Sequence, residues 1–461
     1  VGRGKRGSFG RFSRDLDDRE AKALNLFTSL RLRRPLTAAQ VNRYFSIACF
    51  FSPPVLGSVV AFVFHGGAFW SLVLLFSGRR RLNIDRPMLA MTIAIYAYCA
   101  AQVLASTVNG TLRADVTHFL PLVTLLLFPV SYSTWSITDK AILARIAVRA
   151  SAAACVGALV LAIVQYHWFG MPRVEGGAGN PIVFATVTCL AVMMCLAGVL
   201  SGLEKAWKPL TAAALAGIVA TIYSGSRMIW VALLIAVVAV LVINRQRVCR
   251  SDMRQLLVIA GASTLLIAAI MSPIIVDRTH VLYDNWNALA TKGDYTTPLG
   301  LRVGLWDIGL DAFRQAPVFG HGMAASRVLS RQGFKQHFGA NEGFNHFHNG
   351  FLTALVQAGL AGALTLAAIF AVAVWNATRV LRINPDPLER FGATMIVVTV
   401  IIYIGGGLTG ILVGHDILDT TLMVLLVSGT YLACGQTISP IRKSRPTNQP
   451  SAFRRHQDGS E

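Results

Sequence analysis

The sequence predicts an all-α, polytopic integral membrane protein of about 12 transmembrane helices, with one long periplasmic loop containing short interfacial helices. Three observations predict it. Of 461 residues, 54% are hydrophobic and only 14% charged, with a mean hydropathy of +0.55, too little polar surface to solvate such a chain. The apolar residues fall in repeated runs of roughly 18–25 residues, the length that crosses about 30 Å of hydrocarbon at about 1.5 Å per helical residue. The net charge of +20 sits in Lys/Arg clusters between those runs, where it orients helices in a bilayer; no nucleic-acid partner is expected.

In chain order, residues 1–42 form a basic tail, expected to lack fixed structure, with no apolar stretch directly after a short charged start and so no cleavable signal peptide. Within it, AKALNLFTSLRLRR reads either as a basic amphipathic helix on an anionic leaflet or as a solvated, orienting tail. Residues 43–274 hold nine spans, near 43–57, 58–77, 87–106, 114–132, 142–167, 180–201, 208–223, 228–243 and 255–274. The first two come from one apolar stretch that Ser52-Pro53-Pro54 is expected to break. Residues 275–348 are the long loop, residues 349–435 hold spans near 349–375, 392–411 and 418–435, and residues 436–461 are a second basic tail without fixed structure.

Placing the N-terminus in the cytoplasm puts most of the 42 Lys and Arg on one side, including Arg79, Arg80, Arg81, Arg245, Arg247, Arg379, Arg382 and Arg390. That bias predicts cytoplasmic termini and puts the long loop outside. Six of the seven cysteines lie in apolar runs and Cys249 lies in a basic loop, so no disulfide is expected. Arg149, one helical turn after Arg145, is expected to snorkel to the cytoplasmic face.

A connection as long as 275–348 tends to carry binding or catalytic work. In LRVGLWDIGLDAF, Leu301, Leu305, Ile308 and Ala312 share a helical face, Trp306 suits the headgroup level, and Gln315-Ala316-Pro317 stops the helix. An interfacial helix is expected there.

The outer polar residues are few. Arg227 closes the turn Tyr223-Ser224-Gly225-Ser226-Arg227, Arg173 lies in PRVEGGAGNP, Arg302 opens the loop helix, and His346 and His348 stand in FNHFHNGF where the loop meets the next span. Brought together they make a cationic pocket containing imidazoles. Guanidiniums hold pyrophosphate oxygens and stabilise the charge that grows as the group leaves. Histidine, with an ordinary pKa of about 6.5, takes a proton from an attacking hydroxyl. Blander readings stand beside these. A lone interfacial Arg usually snorkels, the glycines of GGAGNP and GLAGA serve close helix packing, and His65, His167, His321 and His415 satisfy local hydrogen bonds. In an extended segment His346 and His348 could share one metal, and with His337 and Glu342 nearby a zinc site is conceivable, but the spacing matches no strong metal motif, so no metal and no cofactor is expected.

The SGSR turn before a span, the loop segment LRVGLWDIGLDAFRQAPVFGHG and its exit HFHNGFLTALVQAGLAG resemble the O-antigen ligase family of bacterial lipid-linked glycan transferases. The resemblance covers roughly residues 85–435. It implies an inverting, metal-independent glycosyltransferase of the bacterial inner membrane. Its donor would be an undecaprenyl-pyrophosphate-linked glycan, and its acceptor lipid A-core or, in a polymerase of the same family, a growing glycan. By position the resemblance implies His348 as the essential base with His346 secondary, and Arg227, Arg302 and, less directly, Arg173 as pyrophosphate binders. Within the family a short basic C-terminal tail ranks protein O-glycosylation below ligation and polymerisation. A secondary transporter is the reading from another class, but the spans are almost free of Asp and Glu, and no repeated half is visible.

Overall fold

The computed structural model describes residues 37–249, 251–339 and 344–438. The stretch AKALNLFTSLRLRR and most of both tails lie outside the described residues. By contacts the chain divides after Val41. Of the first unit, the described residues begin a helix, where Thr37 and Gln40 form a capping box: Gln40 N donates to Thr37 Oγ1 at 3.3 Å, and Thr37 N to Gln40 Oε1 at 2.9 Å.

Among the described residues every regular element is helical. The first part of the chain forms α1 (Ala38–Leu56), α2 (Val59–Phe76), α3 (Arg86–Val108), α4 (Leu112–Trp135, in short pieces) and α5 (Lys140–Trp168). Next come α6 (Pro181–Leu200), α7 (Trp207–Tyr223), α8 (Arg227–Ile243), α9 (Ser251–Ile270) and α10 (Ser272–Lys292). Then follow α11 (Pro298–Gln315), α12 (Met323–Phe338), α13 (Gly350–Arg382), α14 (Pro387–Gly407) and α15 (Asp416–Cys434). Nine of the described helices are long and apolar enough to cross a membrane. Helices α1, α7 and α8 stand where the sequence predicts three more spans, but they are shorter or more polar.

Several helices start at caps written in the sequence. Asp85, Asn180, Thr297, Asn349 and Asp386 each accept from backbone N–H groups of the first turn, and three of these starts carry Pro next to the cap. Helices α6 and α15 are almost wholly buried at the centre of the bundle, whereas α9 is almost wholly exposed. The outer surface inverts the soluble pattern: Phe62, Phe69, Leu234, Leu265 and Leu364 are exposed, as a lipid-facing belt requires. The molecule is an all-α polytopic membrane protein, and all seven cysteines are free.

Three details depart from the sequence reading. Helix α1 runs through Pro53 and Pro54, and the break falls at Gly57, with φ +57°. The loop after α5 meets α1 there: Gly177 N donates to Pro54 O at 3.0 Å, so α1 ends where a neighbouring segment takes over its carbonyls and not where the prolines remove donors. Arg149 does not simply snorkel; its Nε is 3.0 Å from Glu204 Oε1. The span expected at 349–375 is interrupted, because Ala358 and Gly359 leave the helical region, Gly359 at φ +61°, ψ −156°.

That interruption seats the loop. Residues 316–322 lie in the break, where His321 N donates to Val356 O (2.9 Å), Gly322 N to Gln357 O (2.9 Å) and Leu360 N to Pro317 O (2.8 Å). A Cβ on Gly359 would stand 2.3 Å from the Val318 carbonyl, and a side chain is excluded both by this approach and by a backbone conformation that is essentially glycine's own.

Helices α11 and α12, with the described residues 344–348 and the start of α13, thus form a helical layer with its own core. Leu305, Ile308, Ala312, Phe334, Phe347, Leu352 and Val356 are buried together, with Leu301 and Trp306 packed against them. The predicted face of the loop helix is the buried one. Its partner is protein, and Trp306 reaches inward, donating Nε1 to the backbone oxygen of His348 at 3.5 Å. Each large side chain buried here contributes roughly 1.5–3 kcal/mol. Asp115 of α4 pins the layer from below: its Oδ1 accepts from Ala324 N at 2.5 Å, capping α12, and its Oδ2 accepts from Thr111 Oγ1 at 2.7 Å.

Candidate active site

The segment His346-Phe347-His348 is irregular, with a bend at each histidine. Phe347 is fully buried in the core of the loop layer. The two imidazoles stand together, with ring centroids 4.4 Å apart. His348 has φ +48°, a left-handed conformation worth roughly 1–2 kcal/mol of strain in a non-glycine residue. Asn349 begins α13 immediately afterwards, its side chain accepting from Phe351 N and Leu352 N, both at 3.1 Å.

Both imidazoles line a cavity of about 90 Å³ bounded by Asn180 and Thr186 of the α6 end, Tyr403, the glycines Gly406, Gly407 and Gly410, and His415. His415 is not the locally satisfied residue the sequence suggests. Its Nδ1 is buried without a hydrogen bond, 3.3 Å from Asp416 Oδ1. The other three histidines are satisfied locally: His65 on Ala61 O and Thr124 Oγ1, His167 on Tyr223 Oη, and His321 on Ala312 O.

The arginines assemble beside this pair. Gln165 holds the loop after α5 with three hydrogen bonds, donating to Gly176 O at 2.9 Å and accepting from Glu175 N and Gly176 N at 2.9 and 2.8 Å. Arg173, on that loop, donates Nε to Ser224 O (3.1 Å) and Nη2 to Ser226 Oγ (3.3 Å), which ties it to the turn that carries Arg227. Arg227 donates to the backbone oxygen of Arg278, and Arg278 donates Nη2 to Pro172 O at 2.5 Å. Arg302 reaches the group from the second turn of α11.

The electrostatics show the convergence. Burial, then the charges of Arg278, Arg302 and Arg227, lower the Arg173 pKa to about 10, with Glu175 opposing. Burial and Arg227 lower that of Arg302. Burial, then His346 and Arg302, lower the His348 pKa to about 3, against a hydrogen bond to the Thr409 backbone that raises it. Burial, then His415 and Arg327, lower His346 to about 4, and burial lowers His415, with Asp416 opposing. Arg302 is the bridge, since its charge acts on Arg173 on one side and on His348 on the other.

The five residues singled out in the sequence, Arg173, Arg227, Arg302, His346 and His348, thus form one connected group. Sequence reasoning missed Arg278, Arg327 and His415. Nothing in DRTH marks Arg278, whereas His415, in the turn before α15 and facing the GGGLTG glycines, carried a signal. Glu342 and the side chain of His337 lie outside the described residues. Among those described, no three His, Cys, Asp or Glu side chains group as a metal site.

Several polar atoms here are buried without a hydrogen-bond partner: Arg278 Nε, Arg302 Nε and His348 Nδ1. Asp277 is 4.0 Å from Arg278 Nε, but its side chain is largely exposed. Guanidiniums with spare donors can bind a polyanion, and neutral imidazoles can accept protons. An apolar cavity of about 600 Å³ is lined by Trp230, Leu233, Leu234, Leu265 and Ile275 among others. Trp230 is one turn from Arg227 and Ile275 one turn from Arg278, so an amphiphile with an anionic head and a long hydrocarbon tail matches this end of the molecule.

Fold and site together define a polytopic membrane protein with a buried arginine–histidine centre at one end of its helix bundle. Residues 212–367 match the family model described as O-antigen ligase. This part of the chain, less than half of its length, is similar to the O-antigen ligase family. It includes Arg227, Arg278, Arg302, Arg327, His346 and His348, whereas Arg173, Asn180 and His415 come from outside it. No curated protein matches the chain.

Proposed function

We propose that the protein is an inverting, metal-independent glycosyltransferase that moves a glycan from undecaprenyl pyrophosphate to an acceptor hydroxyl at the periplasmic face of the inner membrane, by ligation to lipid A-core. The observation that supports the reading is the group of arginines, Arg173, Arg227, Arg278 and Arg302, whose charges act on one another and, through Arg302, on His348. Arg227, Arg278 and Arg302, with Arg173, hold the pyrophosphate while the prenyl chain runs along α8 and α9. His348 takes the proton of the acceptor hydroxyl as its oxygen attacks the anomeric carbon. The bond from that carbon to the pyrophosphate oxygen breaks on the opposite face, and its electron pair leaves with undecaprenyl pyrophosphate. The arginines stabilise the charge that grows there.

Burial and Arg302 hold free His348 neutral, which keeps its lone pair available but makes it a weak base. A pyrophosphate on Arg302 cancels that cation's influence and raises the proton affinity of His348 as the donor binds. His348→Ala and Arg227→Ala proteins at normal membrane abundance test the mechanism; wild-type transfer in either removes it. The glycan ladder of a deletion strain tests the acceptor. Polymer made on its carrier but absent from lipid A-core indicates ligation, whereas single-repeat product indicates the polymerase.

A further inference from the structure

The opposite end of the bundle carries a second cationic concavity, which the proposed transfer does not use. Two adjoining cavities, of about 290 and 340 Å³, open between the C-terminal end of α8 and the α13–α14 connection, sharing Gln246, Asn384, Pro385 and Arg390. Arg247 lines the first, Arg245 and Arg382 the second. Arginines at helix C-termini answer helix dipoles and orient the chain in the bilayer, but neither role requires a cavity.

The guanidiniums are partly held in place. Arg390 Nη2 donates to Asn384 Oδ1 at 2.9 Å and to Pro385 O at 3.4 Å, and Arg247 Nη1 donates to Ser201 O at 3.2 Å. Among the described residues no carboxylate lines either cavity. The nearest in sequence are otherwise placed: Asp386 caps α14 through Leu388 N and Glu389 N, and both Asp386 and Glu389 lie within electrostatic reach of Lys140. The second cavity also has an apolar wall of Val242, Ile243 and Leu381. Val242 is 61% exposed and continues a lipid-facing stripe along α8 through Val238, Leu234 and Val231.

We propose that this concavity holds the phosphate of an anionic phospholipid headgroup, with the acyl chains along the exposed face of α8. A free phosphate shares the head chemistry but has no use for the apolar wall, and a zwitterionic headgroup brings no net charge to four arginines.

The test uses the full chain reconstituted in phosphatidylcholine vesicles containing a minority of phosphatidylglycerol, then extracted in detergent, with the co-purifying lipid measured by mass spectrometry. Wild type is expected to retain phosphatidylglycerol above its share of the vesicle. Replacing two exposed members, Arg245→Gln with Arg382→Gln, lowers that retention by roughly fivefold per arginine. Arg79→Gln with Arg81→Gln, an equal charge change on the α2–α3 connection at the same end, leaves it unchanged. Equal retention by all three proteins, or no enrichment in wild type, overturns the proposal. Inorganic phosphate is the second arm: if it raises the melting temperature of wild type but not of the Arg245/Arg382 variant while no lipid is retained, the cavity is a soluble-anion site and the lipid assignment fails.

Discussion

His346 and His348 face each other with ring centroids 4.4 Å apart, tilted at 54°, on either side of a phenylalanine that is fully buried in the core of the loop layer. The pair is thus positioned by an apolar anchor and not by a hydrogen bond between the rings. Phe347→Ala removes that anchor and is expected to cost about 3–5 kcal/mol of loop-layer stability. Faster hydrogen exchange over α11 and α12, with a loss of kcat much larger than any change in donor KM, is the expected result. Unchanged kcat would show that the imidazoles hold their places without Phe347.

Arg278 tests the anion cradle at a position that sequence reasoning passed over. Arg278→Gln takes a guanidinium from the cluster and a hydrogen bond from Pro172 O, and is expected to raise the donor KM by roughly ten- to a hundredfold, the worth of one or two charge-assisted contacts. Arg278→Lys keeps the charge but not the planar fork and should recover only part of the loss. Donor titrations on membranes with matched protein content decide it.

The pH profile follows from the histidines. In the free protein His348 and His346 have pKa values lowered to about 3 and about 4, so both remain neutral as pH falls from 8 to 5. The acid limb of kcat/KM should therefore lie below pH 5, and bound pyrophosphate should place the acid limb of kcat higher. The stability effect has a definite sign. Imidazoles with lowered folded values must charge at a cost, so their contribution is complete above the unfolded value of about 6.5 and is lost as pH falls through the window down to the folded values. A kcat/KM limb centred at pH 6.5 or above would contradict burial as the dominant influence.

Gly359 is the hinge on which the loop sits. Gly359→Ala meets the Val318 backbone and an unfavourable φ, and is expected to cost several kcal/mol, more than the roughly 1 kcal/mol usual for a point substitution. A lowered melting temperature in detergent with loss of transfer is the expected outcome. A neighbouring substitution on the exposed face, Leu364→Ala, should leave both unchanged within about 0.5 kcal/mol.

The apolar spans and the buried face of Leu305, Ile308 and Ala312 were legible in the sequence because each depends on nearby residues: run length and period. Arg173, Arg227, Arg302, His346 and His348 were legible because charge beside a bilayer is costly and therefore sparse. Which of these residues share a site is a matter of distant packing. Arg278, Arg327 and His415 join the group only when α10, α12 and the turn before α15 are brought together. The inward turn of Trp306, the break at Gly359 and the lowered histidine pKa values likewise arise from neighbours remote in the chain, whose contacts no local pattern encodes.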